Sequence, residues 1–212
     1  MRHIPRWAGH IPGHTSPTIL HAARVAAYAV RVLGEAYHDA LLCHDAGKRL
    51  VDAGLLYRDG PVSRLESIQI GEHAAWGRAV LQLIMDARCH GAPVPRVYQE
   101  MCALHHHWYD GSHPGSVAGA NGAGVCDIPR AMVGDAIPYY VRVLSICDVY
   151  DAVLTRTYQV GHTRTPAEAR AILAAGAGTQ FDPHLVPIVI AALTNAHGDA
   201  FSPEEDAIAA YA

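Results

Sequence analysis

Apolar positions recur at three- and four-residue intervals along most of this chain, and strict alternation is almost absent. Between Thr18 and Leu33, the residues Ile19, Val25, Ala26, Ala29, Val32 and Leu33 fall at helical spacing, and Gly34 follows as a stop signal. A second run from Ala36 to about Lys48 predicts another helix, and Gly60-Pro61 marks a turn. Ser63-Arg64-Leu65-Glu66 has the form of a capping box opening a helix that runs towards His73. The spacing predicts further helices over about 74–87, 97–106 and 139–154. Thr165-Pro166-Ala167-Glu168 reads as a helix start, with Thr as cap, Pro in the first position and Glu in the third. Gly176, Gly178 and Asp182-Pro183 break the pattern before a last helix over 183–196. Residues 111–137 are glycine-rich and aperiodic, and predict a long irregular loop. The expected fold class is all-α, with an irregular arm over 1–17, one domain over 18–200 and a tail over 201–212.

Composition narrows the function classes. Half of the 212 residues are hydrophobic and 17% are charged, enough apolar material for a core and too much for a disordered chain. A formal net charge of −4 gives no electrostatic case for binding DNA. No stretch of about 18 uncharged apolar residues exists, so membrane insertion is not expected. Met1-Arg2-His3-Ile4-Pro5-Arg6-Trp7 has no apolar segment behind its charges, which argues against a secretory signal. The five cysteines form no Cys-x-x-Cys pair, and Cys43, Cys102 and Cys147 sit in apolar runs as buried thiols would. The cytoplasm is the expected compartment. The outlier is histidine, at 15 residues.

Some of those histidines fall beside carboxylates in metal-ligand combinations. His44-Asp45 ends the apolar run Ala40-Leu41-Leu42-Cys43, and both side chains can ligate one metal or two, a carboxylate being able to bridge two cations. His105-His106 again ends an apolar run, and Asp148 and Asp151 lie three apart, on one face of an otherwise apolar helix. A carboxylate there is costly unless paired or metal-bound. Taken singly, each has an ordinary reading: His105-His106-His107 as a solvated helix end, Asp148 as a cap or ion pair. His3, His10, His14, His38, His90, His162, His184 and His197 carry no assigned chemistry.

The ordered set of motifs resembles the HD-GYP subfamily of the HD superfamily of metal-dependent phosphohydrolases. His44-Asp45-Ala46-Gly47-Lys48 is similar to the superfamily signature. His73-Ala74-Ala75-Trp76-Gly77 stands for the His that is followed four residues later by Gly. His105-His106-His107-Trp108-Tyr109-Asp110-Gly111 stands for His-His-Glu-x-x-Asp-Gly. Ile137-Pro138, Arg142-Val143 and Asp148-Val149-Tyr150-Asp151-Ala152 follow in family order, then Gly178-Thr179-Gln180-Phe181-Asp182-Pro183. His21-Ala22-Ala23-Arg24-Val25 resembles the first core helix, so the likeness covers about 18–195. The chain departs from the pattern at the Gly-Tyr-Pro motif, where Ser112-His113-Pro114 stands, and at His107, which replaces the glutamate. Pro17 stands where some members place a Glu that holds a third metal, so two metals are expected here.

The resemblance implies an HD-domain helical bundle around a binuclear centre of two divalent ions, iron or manganese. His21, His44, Asp45 and Asp148 would hold one metal; Asp45 would bridge to a second, held also by His73, His105 and His106. It implies a phosphodiesterase cutting cyclic di-GMP to pGpG or GMP by a metal-bridging hydroxide. Asp45 and Lys48 would be catalytic, with Lys48 and Arg156 on the phosphates. Asp110 and Asp151 would support the ligands, with a structural cap as the other reading of Asp151. Arg24 is expected to pack or pair, and the segment 178–183 to fix the last helix. The altered loop leaves two alternatives: an HD hydrolase of another nucleotide or phosphate ester, and a module that binds a cyclic dinucleotide or protein partner without turnover. A homodimer is also open.

Overall fold

A computed structural model describes residues 16–58, 60–112, 132–155 and 164–197. Helix α1 spans Ser16–Leu33, starting two residues ahead of the expected Thr18. Its inward face is built largely of alanine: Ala22, Ala23, Ala26 and Ala29 are buried with Val25 and Tyr28. Such small side chains let neighbouring helices approach closely, and α1 packs against α7 (Tyr139–Thr155) along much of its length. The rings of Tyr28 and Tyr150 meet edge to face at 5.6 Å across that seam. Gly34 ends α1 in the left-handed region, at φ +86°.

The helix expected over 36–48 is replaced by four shorter pieces. A 3₁₀ turn at Glu35–Tyr37 leads into α2, His38–Leu42, then a turn over 43–45 and a second 3₁₀ stretch, Ala46–Leu50. From Cys43 onward the backbone bonds run three residues back: His44 N–H to Leu41 O, Ala46 N–H to Cys43 O, Lys48 N–H to Asp45 O. The tighter winding eclipses residues three apart, so Lys48 lies directly over Asp45. Tertiary packing favours this form. A Cβ on Gly47 would fall 1.9 Å from the His73 carbonyl oxygen, so this turn is docked backbone to backbone on α5, His73–Arg88.

Between them lie α3 (Ala53–Leu56) and α4 (Arg64–Gly71). The first was not expected from the sequence; the second starts at the expected Ser63 capping box. α5 packs on α6, Arg96–Leu104, through Gly77, where a Cβ would lie 2.6 Å from Cys102 Cβ. α7 carries Val141, Val143, Leu144, Ile146 and Cys147 into the core, and α8 (Pro166–Ala175) and α9 (Leu185–His197) close over it. Each fully buried Leu or Ile, such as Leu41, Leu144, Ile146 and Leu173, contributes roughly 1.5–3 kcal/mol. The second capping box, Thr165 with Glu168, is present as expected. Asp182 starts α9: its backbone oxygen accepts from the Leu185 and Val186 amides and its carboxylate from the His184 amide at 2.8 Å. The described residues contain no β-strand, only an isolated bridge between Ala177 and Phe181, and the fold is all-α.

Candidate metal centre

Five segments bring the chemistry together. α1 supplies His21, the turn after α2 supplies His44 and Asp45, and the start of α5 supplies His73. The end of α6 supplies His105 and His106, and the middle of α7 supplies Asp148. His44, Asp45, His73 and His105 are at most 3% exposed, and His21 and Asp148 are buried as well. The seven residues singled out as ligands from the sequence thus converge on one buried point. The glycines of the same motifs do the positioning. Gly47 seats the His44-Asp45 turn on the carbonyl of His73, and Gly77 lets α5 close on α6, carrying His73 to His105.

The arrangement has two halves joined by one carboxylate. Asp45 Oδ1 faces His73 Nε2 at 3.0 Å and His105 Nε2 at 3.8 Å. Asp45 Oδ2 faces His21 Nε2 and His44 Nε2, both at 3.5 Å, and accepts from the Lys48 ammonium. Asp148 Oδ1 closes that half at 2.9 Å from His21 Nε2 and 3.9 Å from His44 Nε2. One ligand atom from each of His73, His105 and His106 lies within 4.8 Å of the others, and the same holds for His21, His44 and Asp45.

Hydrogen bonds fix which ring nitrogen is free. Nδ1 of His44 lies 2.8 Å from the Leu41 carbonyl oxygen, Nδ1 of His73 lies 2.6 Å from that of Ile70, and Nδ1 of His105 lies 2.8 Å from that of Cys102. A carbonyl can only accept, so each Nδ1 carries the hydrogen and donates it, leaving a lone pair on each Nε2. Yet Nε2 of His73 sits 3.2 Å from Nε2 of His105 and 3.3 Å from Nε2 of His106. The lone pairs of His73 and His105 repel at 3.2 Å unless a cation or proton lies between them. His44 Nε2 is buried without a hydrogen-bond partner, and His21 Nε2 has only carboxylate oxygens beside it, Asp148 Oδ1 at 2.9 Å and Asp45 Oδ2 at 3.5 Å. Unpaired buried nitrogens are what a metal site presents in the absence of its ion, and mixed imidazole and carboxylate donors suit iron, manganese or zinc.

Electrostatics keep the donors in ligating form. Burial, then the neighbouring His44 and His73, pushes His105 down to about 3. Burial and the adjacent His105 and His73 push His106 well down, and burial lowers His44. For Asp45 burial acts upward, but Lys48, His44 and His73 outweigh it and hold the carboxyl well below its usual range. Asp148 is likewise held low, with His21 overcoming burial. His21 goes the other way: burial lowers it, and the contacts to Asp148 and Asp151 more than reverse that.

Other residues singled out from the sequence divide. Asp151 stands behind His21, with Oδ2 2.7 Å from its Nδ1, and Arg24 pairs with Asp151. Asp110, expected to support a histidine, instead turns its exposed carboxylate to the Ser112 amide at 2.8 Å. Its backbone does the holding. The amides of Tyr109 and Asp110 donate to the carbonyls of Gln180 and Thr179, so segment 178–183 straps the chain just after His105-His106-His107 as well as starting α9. Arg156 and His113 lie outside the described residues. Sequence reasoning missed Ser145, whose buried Oγ lies 2.6 Å from the His105 carbonyl oxygen and ties α7 to the end of α6. Its only signal was its place three residues before Asp148. The described cysteines are free thiols, and burial pushes Cys43 up to about 12, an unreactive group.

No family model matches the chain. Among curated proteins, it is 27% identical over 152 residues to a probable cyclic di-GMP phosphodiesterase of Vibrio cholerae, covering 72% of this chain and 31% of that one. It is 26% identical over 193 residues to a 3'3'-cGAMP-specific phosphodiesterase of the same organism, covering 86% of this chain and 33% of that one. A cyclic di-GMP phosphodiesterase response regulator of Xanthomonas campestris is 28% identical over 148 residues, covering 69% and 33%. The chain spans about a third of the length of these relatives. No helix among the described residues is long and apolar enough to cross a membrane. Similarity to several cyclic-dinucleotide phosphodiesterases supports a relationship to the HD-GYP family.

Proposed function

We propose that this chain is a metal-dependent phosphodiesterase that opens a cyclic dinucleotide, with cyclic di-GMP as the first candidate and pGpG or GMP as product. The observation that carries the reading is the placement of Asp45, one oxygen towards His73 and His105 and the other towards His21 and His44. His21, His44, Asp45 and Asp148 would hold one divalent ion, and His73, His105, His106 and Asp45 a second, iron or manganese being the expected pair. Two such ions, when bound, supply water activation and charge neutralisation at phosphorus.

The chain's own residues do the rest. Carbonyls behind His44, His73 and His105 hold the Nε2 lone pairs aimed inward before any ligand arrives. Buried Lys48 places an ammonium beside Asp45, where it can meet a phosphate oxygen as negative charge grows on it. Arg156 is assigned to the second phosphate. The burial of His21, His44, His73 and His105 strengthens these charge contacts.

The name of one relative favours a second substrate, 3'3'-cGAMP. Protein purified and loaded with iron or manganese without oxygen, then incubated in parallel with cyclic di-GMP and 3'3'-cGAMP, separates the readings by product chromatography. A linear dinucleotide or mononucleotide from either supports the proposal and names the substrate. Binding of both without product points to a non-catalytic module. Turnover only of an unrelated phosphate ester points to another branch of the HD hydrolases.

A further inference from the structure

Three of the histidines are held from behind by the main chain. His44, His73 and His105 point Nδ1 at the carbonyls of Leu41, Ile70 and Cys102, partners that no substitution removes. His21 differs. Its Nδ1 lies 2.7 Å from Asp151 Oδ2, a buried side chain 130 positions away in the sequence. That carboxylate could turn about its own bonds, but Arg24 holds it in place. Nε of Arg24 lies 2.5 Å from Asp151 Oδ1, and its Nη2 donates to Oδ2 at 2.9 Å. Thr155 Oγ1 adds a bond to the Asp151 backbone oxygen at 2.8 Å. Arg24 is itself buried and reaches Asp151 from α1, three residues after His21. One helix therefore supplies both the ligand and the cation that fixes the ligand's support.

Resting on the metal-centre reading above, we propose that Arg24 is a positioning residue for one half of the centre only. Acting through Asp151, it sets the ring of His21 and so governs the ion held by His21, His44 and Asp148. The ion held by His73, His105 and His106 depends on main-chain carbonyls at His73 and His105 and is indifferent to Arg24. The guanidinium matters through its planar fork, which engages both carboxylate oxygens in fixed geometry; an ammonium cannot do this. Supporting residues of this kind typically change metal affinity by roughly 10- to 100-fold. The two halves of the centre thus differ in how their strength can be altered, with Arg24 as the control on one of them.

The test is cobalt(II) titration of the full chain, read by bound metal per chain and by the visible ligand-field spectrum, with circular dichroism to follow the fold. The wild-type protein should bind two ions. Arg24→Met should keep the helical spectrum and weaken one ion by roughly 10- to 100-fold while the other is unchanged. The band it loses should be the band lost in His21→Ala. Arg24→Lys should restore little, because the fork is gone. If Arg24→Met does not fold, Asp151→Asn replaces it: the amide keeps the shape but not the charge, and the same ion should weaken. Two ions bound at wild-type affinity in Arg24→Met or Asp151→Asn overturns the inference. Equal weakening of both ions in a folded variant does so too. A wild-type chain that binds no transition metal overturns the metal-centre reading itself, a result distinct from either of these.

Discussion

The buried centre and the segment from Asp52 to Gly71 are built by opposite rules. At the centre nearly every side chain is buried, and local preference yields to packing. In the segment, neither α3 nor α4 buries a single residue, and Leu65 is 74% exposed. What holds the segment is local: Asp52 accepts from the Leu55 amide, Ser63 and Glu66 cap each other, and Arg58 bonds Glu66 and the Pro61 carbonyl. Thr18 and Tyr57, 2.6 Å apart at their hydroxyls, tie the segment to α1. Function should therefore break at the centre, whereas changes in the segment should register only as modest losses of stability.

The largest effect expected is that of Asp45→Ala. It removes both oxygens that link the two halves and leaves the Lys48 ammonium buried without its partner. Phosphodiesterase activity and bound metal should both fall to background, beyond the roughly 10- to 100-fold expected for a residue that only supports a ligand. Metal analysis and product chromatography check this, and wild-type turnover in the variant would sink the metal mechanism.

Next comes Gly47→Ala. The added methyl would lie 1.9 Å from the His73 carbonyl oxygen and 2.8 Å from the Gly77 nitrogen, both backbone atoms of α5 that cannot swing aside. Overpacking of this kind costs about 1–3 kcal/mol or more, read as a lower midpoint in denaturant. It should also separate Asp45 from His73, so metal affinity should fall with stability. A variant of unchanged stability would show that the turn is not docked as described.

The same contrast explains what could be read from the sequence. The capping boxes at Ser63 and Thr165 were legible because a cap is a local device, complete within four residues. The helix expected over Ala36–Lys48 failed for the reverse reason. Its periodicity is helical, but the close seat of Gly47 on α5 selects tighter turns, a cause that lies some 26 residues away in the sequence. The seven residues expected as ligands were singled out from motif order, and the structure brings them together. The partners of Arg24 and Ser145 were not, because they lie 127 and 40 residues away in the sequence, respectively, and no local pattern announces that. Asp110 looked like a supporting carboxylate, yet its backbone amide, which no sequence motif distinguishes, makes the long-range contact.

A smaller effect is expected from Ser63→Ala. Losing the hydroxyl that accepts from the Glu66 amide should cost about 1 kcal/mol, typical of an N-cap. Metal binding and turnover should stay at wild-type levels, since no ligand lies on α3 or α4. A loss of activity larger than the loss of stability would mean that the segment contributes to the site, and the contrast between the two regions would have to be redrawn.

The smallest effect is a pH dependence confined to this segment. Arg58, followed by the Ser63 amide, holds Glu66 down to about 2, against an ordinary value of 4.5. A carboxyl with a lowered folded-state value adds stability that is fully present above about 4.5 and disappears as the pH falls through about 2. Glu66→Gln should therefore be slightly less stable than wild type at neutral pH, with the gap closing as acid is added. Measuring the difference between the two proteins cancels the protonation of all other carboxylates. Because Arg58 and Glu66 face solvent, added salt should shrink the gap at neutral pH as well. A gap that survived both acid and salt would mean that Glu66 acts through packing and shape, and the segment would then follow the rules of the buried centre after all.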